Sequence, residues 1–410
     1  MDFQLTDDQR AIADMAGSLF GDLCTDDRLR AFDTAGEPFM ADLWKQCVET
    51  GLHALAIPEQ AGGSGLGMTE LMLVLEAQGR GLGHVPLWRH QLAAATLARF
   101  GGASGAEIAT AAAESKLMIT LALGAAARAH GIALKARREG DGWVLDGKVA
   151  AVALGAEVCR ALLLAETDDG PRLVSVDLRA AGIEKVPGVF THREAVADLG
   201  FNAHRLAADA VLPEAALPWL EQRAIAALAA LQLGVSTEQV RRTVEYINDR
   251  RQFDRAIATF QAVQMSMADA HIAIEALRSA LWQLVYRLDA GLPSPSEALA
   301  VKYLASECGH LVGHKAQHVH GGIGVDLTYP IHRYLYWSRA LGITLGGSAA
   351  TLERLGDWLA NNDKLGWKYD LEEQQALLEP RARHHPGRQR RHARTTRRLA
   401  RQQRQAGMEI

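Results

Sequence analysis

The chain has 410 residues, 48% of them apolar and 22% charged, which is enough to build a substantial core. Its apolar segments are short and broken by charge, whereas a membrane span needs about 18 to 20 consecutive apolar residues. The acidic start MDFQLTDDQR lacks the layout of a secretory signal. Four widely spaced cysteines, Cys24, Cys47, Cys159 and Cys308, suggest reduced thiols. We therefore expect a globular cytoplasmic protein.

Charge is unevenly distributed along the chain. The formal net charge is -4, and residues 381–410 hold ten Arg and one Glu, so the rest of the chain carries -4 - (10 - 1) = -13. Residues 369–410 contain little that could be buried, and we expect this basic tail to be disordered. No aromatic residues interleave the Arg residues of the tail and the remaining chain is acidic, so nucleic-acid binding is not expected.

Residues 1–115 show apolar residues at helical spacing, punctuated by Gly and Pro. They predict an N-terminal helical domain. The stretch also contains a patterned set of residues: Phe3, Leu5, Thr6, Gln9, Trp44, Gly51, Leu52, the run Ile57 to Gly67 (IPEQAGGSGLG) and Glu76. Because Gly and Pro are typical of turns between helices, these residues are informative about the fold and less so about a catalytic or binding role.

Residues 116–213 change to short strands and predict a middle β-barrel domain. Leu173 to Leu178 alternates, with Val174 and Val176 on one face and Ser175 on the other. The run GDGWVLDGK, Gly140 to Lys148, predicts a hairpin that turns at Asp146 and Gly147.

Residues 214–368 return to helical spacing and predict a C-terminal four-helix bundle. The seam of one long helix steps by four and three residues: Val263, Met267, Ala270, Ile274, Leu277, Leu281 and Leu284. The complete fold prediction is thus α+β and mostly α.

Two motifs in this region suit a diphosphate-containing ligand. The first begins Arg250-Arg251-Gln252-Phe253-Asp254 and continues to Ile257, Phe260, Gln261 and Gln264; the second is Gln317, Gly321, Gly322, Gly324, Pro330 and Arg333. Arg offers paired donors and a permanent charge, and paired Gly lets backbone approach a bulky ligand. Taken singly, the motifs would also fit a solvated Arg corner and a helix C-cap, and Asp254 would repel a phosphate unless Arg255 neutralised it.

Together, the motifs of residues 1 to 368 closely resemble those of acyl-CoA dehydrogenases. The resemblance implies the same three-domain fold, FAD as cofactor, and α,β-desaturation of an acyl-CoA, in which a carboxylate takes the α proton and the flavin takes the β hydride. It implies a dimer of dimers, with each flavin ring held by one chain and its ADP half by the neighbour. The cofactor-binding residues it implies here are Arg250, Gln252, Phe253, Ile257, Phe260, Gln317, His318, Gly321 and Gly322.

This sequence departs from that family at the catalytic and ring-binding positions. The two places where the family carries its catalytic Glu hold Leu345 and Ala224, and Glu221 is a weak candidate for a displaced base. The positions of the ring-binding loop hold residues 121–128 (LALGAAAR), and those of the ring-stacking strand hold residues 150–154 (AAVAL). An unpaired flavin polar atom would cost about 1 to 3 kcal/mol.

We therefore expect the non-catalytic subunit of a heteromeric acyl-CoA dehydrogenase, similar to those that act on steroid side chains or pimeloyl-CoA. A homologous catalytic subunit would complete an α2β2 tetramer and share FAD at the interface, with electron-transfer flavoprotein as electron acceptor. Two alternatives stay open: a self-sufficient homotetramer with a displaced carboxylate, and a flavin-free structural subunit.

Overall fold

The computed structural model describes residues 4–124 and 131–362. The predictions for Phe3, for residues 125–128 of the ring loop and for the basic tail lie outside these ranges. Among the described residues, no helix is long and apolar enough to cross a membrane. All four cysteines are free thiols, and burial raises the pKa of Cys24 and of Cys47 to about 12.

Six helices form the N-terminal part of the chain: α1 (Asp7–Leu23), α2 (Asp26–Ala35), α3 (Ala41–Glu49), α4 (Met68–Gly81), α5 (Leu87–Phe100) and α6 (Gly102–Ala113). Helix α1 begins with a capping box in which Thr6 and Gln9 exchange side-chain and backbone hydrogen bonds of 3.0 and 3.2 Å. The Gln9 amide also donates to Glu70 at 2.9 Å, and Glu70 accepts from the backbone of Gly67. Thr6, Gln9 and Gly67 of the N-terminal pattern therefore fix the packing of α1 on α4.

Among the described residues, seven strands follow: β1 (Ile119–Ala122), β2 (Lys135–Glu139), β3 (Gly142–Ala153), β4 (Arg160–Thr167), β5 (Gly170–Asp177), β6 (Glu184–Val189) and β7 (Ala195–Leu206). They form one curled, mixed sheet in the order β1-β4-β2-β3-β7-β6, with β5 on β4. The pairs β1/β4 and β2/β4 are parallel and the others are antiparallel. Strand β5 is buried on both faces from Leu173 to Val176, so the alternation of the sequence does not mark a solvent face.

The hairpin prediction was wrong about the position of the turn. Strands β2 and β3 pair from Glu139 and Gly142 onward, so the chain reverses at Gly140 and Asp141. Asp146 and Gly147 lie inside β3, where the register with β7 shifts. Gly147 has a φ of 119°, and an added Cβ would lie 2.2 Å from the Ala133 carbonyl oxygen. Its conformational freedom thus serves a bulge and not a turn.

Five helices complete the described chain: α7 (Ala216–Asp249), α8 (Gln261–Asp289), α9 (Pro295–His320), α10 (His332–Ile343) and α11 (Ser348–Ala360). A short hairpin joins α7 to α8; its two strands, β8 (Arg251–Gln252) and β9 (Arg255–Ala256), have two residues each. The predicted seam of α8 is buried from Met267 to Leu284. The three long helices pack on one another, and α10 and α11 lie against α9.

Helices α4 and α7 join the N-terminal and C-terminal helices at a close crossing. An added Cβ at Gly79 would lie 2.2 Å from the Leu231 carbonyl oxygen, and one at Gly234 would lie 2.0 Å from that of Glu76. Only glycine allows the two backbones to approach this closely. Through this crossing, the N-terminal and C-terminal helices share one hydrophobic core.

Candidate functional site

The first motif follows the C-terminal end of α7. Arg250 is the exposed C-cap of that helix, and its carbonyl oxygen accepts from the Ile257 backbone N–H at 2.9 Å. Gln252 is exposed in β8, and Phe253 at the tip of the hairpin is 87% exposed. The Arg255 guanidinium lies over the Phe260 ring, with its central carbon 4.0 Å from the ring centroid. The centroids of the Phe260 and Phe253 rings are 6.2 Å apart. The Arg255 side chain is thus stacked on an aromatic ring.

The second motif follows the C-terminal end of α9. The side-chain amide of Gln317 is buried, and neither its nitrogen nor its oxygen has a hydrogen-bond partner among the described residues. Gly321 has a φ of 64°, and no atom lies within 4 Å of an added Cβ at Gly321 or Gly322. His318 is exposed. An unpartnered buried amide costs about 1 to 3 kcal/mol, so this cluster fits a polar group supplied from outside the chain.

The two motifs lie at the same end of the helical bundle. Tyr246, one turn before Arg250, stacks on His320 of α9 with 4.3 Å between ring centroids. Arg250 and Tyr246 line a groove of about 700 Å³ together with Tyr329 and Pro330, which follow the paired glycines. We call Arg250, Phe253, Gln317, Gly321 and Gly322 the bundle-end cluster.

A central cavity of about 500 Å³ lies at the other end of α10. One wall comes from the sheet and includes Leu121, Leu123, Val149, Ala150 and Ala151. The other comes from the end of α10 and the turn after it, Ile343 to Gly346. The described ring-loop residues 121–124 and three of the five ring-strand residues, Ala150, Ala151 and Ala153, therefore line this cavity. None of them has a side-chain hydrogen-bond donor. These positions therefore offer no side-chain partner to the polar edge of a flavin ring.

The positions expected for a catalytic carboxylate are apolar. Leu345 is 4% exposed and lines the central cavity, and Ala224 is fully buried in α7. Glu221 forms an ion pair of 2.8 Å with Arg354 of α11 and does not line the cavity. The structure thus places Glu221 in a contact between helices.

A polar cluster in the cavity had no counterpart in the sequence motifs. Arg89 of α5 forms a bidentate ion pair with Glu194, and His192 lies 3.7 Å from the same carboxylate. Next to them, the His84 ring stacks on Phe32 at 4.7 Å and meets the Trp337 ring edge-on at 5.0 Å. These residues come from four distant stretches, so no spacing in the sequence could have brought them together.

The cluster contains ionisable groups with strongly shifted pKa values. Burial, assisted by the charge of His192, lowers the pKa of His84 to about 3, so its imidazole is neutral near pH 7. Burial alone would raise the pKa of Glu194, but Arg89 and His192 lower it to about 2. A carboxylate with so low a pKa holds its charge in the ion pair and is a weak proton acceptor.

Another predicted motif residue is engaged in structure. Arg333 is 8% exposed and donates twice to Asp33 of α2, at 2.9 and 2.7 Å. This pair ties the start of α10 to the N-terminal helices. Among the described residues, no group of three or more His, Cys, Asp or Glu side chains could hold a metal ion.

Comparisons with known proteins agree with this architecture. Residues 6–105 match a family model described as the acyl-CoA dehydrogenase N-terminal domain, and residues 222–360 match the acyl-CoA dehydrogenase C-terminal domain. Acyl-CoA dehydrogenase FadE27 of Mycobacterium tuberculosis is 32% identical over 371 residues, which are 88% of this chain and 99% of the relative.

Two solved structures contain similar chains. A chain from a variant of the Tcur3481-Tcur3483 steroid ACAD is 38% identical with a TM-score of 0.81, and the match covers 87% of this chain and 98% of that one. A chain of the ChsE4-ChsE5 complex from Mycobacterium tuberculosis is 32% identical with a TM-score of 0.84, covering 88% of this chain and 100% of that one.

Proposed function

Because the chain belongs to the acyl-CoA dehydrogenase family, we propose that it is the non-catalytic subunit of a heteromeric, FAD-dependent acyl-CoA dehydrogenase. It lends its bundle-end cluster to the ADP half of a flavin whose ring and catalytic base belong to a homologous partner. The complex desaturates an acyl-CoA thioester between its α and β carbons, and electron-transfer flavoprotein takes the electrons. Similarity to two structures named after pairs of chains, one of them called a steroid ACAD, favours an assembly with a different chain and a bulky, steroid-type acyl group. We propose an α2β2 tetramer in the cytoplasm.

The observation that carries the proposal is the contrast between the two ends of α10. At one end, the buried amide of Gln317 has no partner among the described residues and the space beside Gly322 is open. At the other, Leu345 and the cavity-lining residues at the described ring-loop and ring-strand positions are apolar where a base and a ring would be needed. The helix has 12 residues and spans about 18 Å, so the two groups of residues serve different parts of the assembly.

The chain's own residues act on the cofactor by binding and orientation. Arg250 suits a diphosphate because its guanidinium keeps its charge and donates in pairs, and Gln317 can donate to and accept from a ribose or phosphate. When bound, FAD supplies the acceptor for the hydride that leaves the substrate's β carbon. Glu194 is the one carboxylate among the described residues that line the central cavity, and its ion pair with Arg89 keeps it from serving as the base.

Two other functions make different predictions. A self-sufficient homotetramer would need a displaced base such as Glu221, whose ion pair with Arg354 and distance from the cavity lining count against it. A purely structural subunit would hold no flavin atoms, which leaves the unpartnered Gln317 amide unexplained.

The test is to purify the chain alone and together with candidate partner subunits. We expect no stoichiometric FAD and no acyl-CoA oxidation by the chain alone, and both in the complex. In the complex, Arg250→Ala with Gln317→Ala should reduce FAD affinity at least about tenfold through lost charge-assisted hydrogen bonds. Arg138→Ala, at an exposed position of β2, is the control and should leave FAD content unchanged.

The outcomes separate the three functions. A flavin-containing, active preparation of this chain alone would refute the partner model, and loss of that activity in Glu221→Gln would establish the homotetramer. If Arg250→Ala with Gln317→Ala left the FAD affinity of the complex unchanged, the flavin-free structural subunit would be supported.

A further inference from the structure

The central cavity has the size of a ligand site, although its described ring-loop and ring-strand positions offer a flavin ring no side-chain donor. Its volume of about 500 Å³ lies within the range of small-molecule pockets. Leu121, Leu123 and Leu345 line it and are buried, so much of the interior is apolar. A cavity of this kind favours an apolar body over water.

The outer part of the same cavity is cationic. Lys148 of β3 and Arg339 of α10 both line the cavity and are exposed, so they lie where it opens to solvent. Among the described residues, neither forms an ion pair with a carboxylate. The guanidinium of Arg339 faces two imidazoles instead, with 2.5 Å to Nε2 of His314 and 3.3 Å to Nδ1 of His310. Two cations without counter-charges attract an anion.

Apolar side chains also remain uncovered beside these cations. Ile343 is 73% exposed and Phe190 is 40% exposed, and both line the cavity. The opening thus combines exposed apolar surface with positive charge. This is the complement of a molecule that carries an acidic group next to an apolar body.

We propose that the central cavity binds an amphipathic carboxylate, with its apolar body inside and its acidic group at Lys148 and Arg339. A free acid suits the site better than a coenzyme A thioester. The pantetheine arm of the thioester would place the phosphates far from Lys148 and Arg339, which lie at the cavity. Two sources share this chemistry, a straight-chain fatty acid and a polycyclic acid. The inference rests on the proposed function only in requiring that no flavin ring occupies this cavity.

The experiment titrates the full-length chain, alone and in the reconstituted complex, with dodecanoate and with cholate by calorimetry. The methyl ester of each acid tests the role of the charge, and dodecanoyl-CoA tests the thioester. We expect one equivalent of at least one acid to bind, and its methyl ester to bind at least about tenfold more weakly. Binding of dodecanoate alone would identify a chain acid, and binding of cholate alone a polycyclic one.

Three variants locate the ligand. Lys148→Ala with Arg339→Ala should weaken acid binding at least about tenfold while leaving the methyl ester unaffected. Ala150→Trp, at an exposed position of the cavity wall, should block acid and ester alike. Lys135→Ala, an exposed lysine of β2 that does not line the cavity, should change nothing.

The inference would be overturned if neither acid bound, if only the thioester bound, or if neither set of cavity substitutions changed the affinity for the acid. It would also be overturned if the acid bound the free chain but not the complex, because the partner would then cover the site. The FAD content of the chain alone is measured first. FAD that Ala150→Trp expels would refute the proposed function itself, whereas a flavin-free chain that binds no acid refutes only this inference.

Discussion

Leu345, at the position where we expected a catalytic carboxylate, has an unusual backbone conformation. Leu345 has a φ of 62° and Gly346 a φ of 99°, so the chain makes a left-handed turn into the central cavity. A positive φ is unusual for leucine. This turn brings an apolar side chain, 4% exposed, to the wall of the central cavity.

The lowered pKa of His84 predicts that the free energy of unfolding decreases at acid pH. Its pKa in the folded chain is about 3, below the value near 6.5 expected after unfolding, so between these pH values the unfolded chain binds more protons. Its contribution to the free energy of unfolding is complete above pH 6.5 and is lost as the pH falls towards 3. Between pH 7.5 and 5.0, wild type should lose about 2 kcal/mol more than His84→Phe, which keeps an aromatic ring.

Urea unfolding of both proteins at the two pH values measures this difference. His271→Phe, at an exposed position of α8, serves as the control and should lose as much as wild type. Equal losses in wild type and His84→Phe would show that burial of His84 does not govern the acid response.

At the level of elements, the crossing of α4 and α7 sets the distance between the two helical regions. Gly234→Ala should destabilise the protein by about 1 to 3 kcal/mol, because the new methyl group would overlap the Glu76 carbonyl oxygen. Gly17→Ala is the matched control: it lies in α1 with nothing within 4 Å of an added Cβ, and the change should be neutral or slightly stabilising. Thermal and urea unfolding measure both, and a neutral Gly234→Ala would mean that the helices separate at little cost.

The elements also show where spacing is informative and where it is not. The seam of α8 could be read directly because a long helix repeats its buried positions every three or four residues. The turn of the β2/β3 hairpin could not, because Gly140-Asp141 and Asp146-Gly147 carry equivalent turn signals. Pairing with β7 decides which of them bends.

For the whole molecule, the proposed function requires two different chains to complete one active site. Leu345→Glu would restore a carboxylate at the expected place. The variant alone should still contain no FAD and oxidise no acyl-CoA, because the described ring-loop and ring-strand positions would still lack side-chain donors for a ring. Circular dichroism should first establish that the variant folds, since Leu345 is 4% exposed. Activity of Leu345→Glu without a partner would show that this cavity can hold a flavin and would contradict the assignment of roles.

The sequence by itself determined the succession of a helical, a strand-rich and a second helical region, the family, and the apolar side chains of Leu345 and Ala224, because periodicity and residue identity are local properties. Only the tertiary structure decided that Gln317 has a buried amide without a partner among the described residues, and that Glu221 is paired with Arg354. It also decided that Arg89, Glu194 and His192 line the central cavity with His84 beside them. Contacts between residues a hundred or more positions apart depend on how the sheet and helices pack. No local pattern encodes that packing.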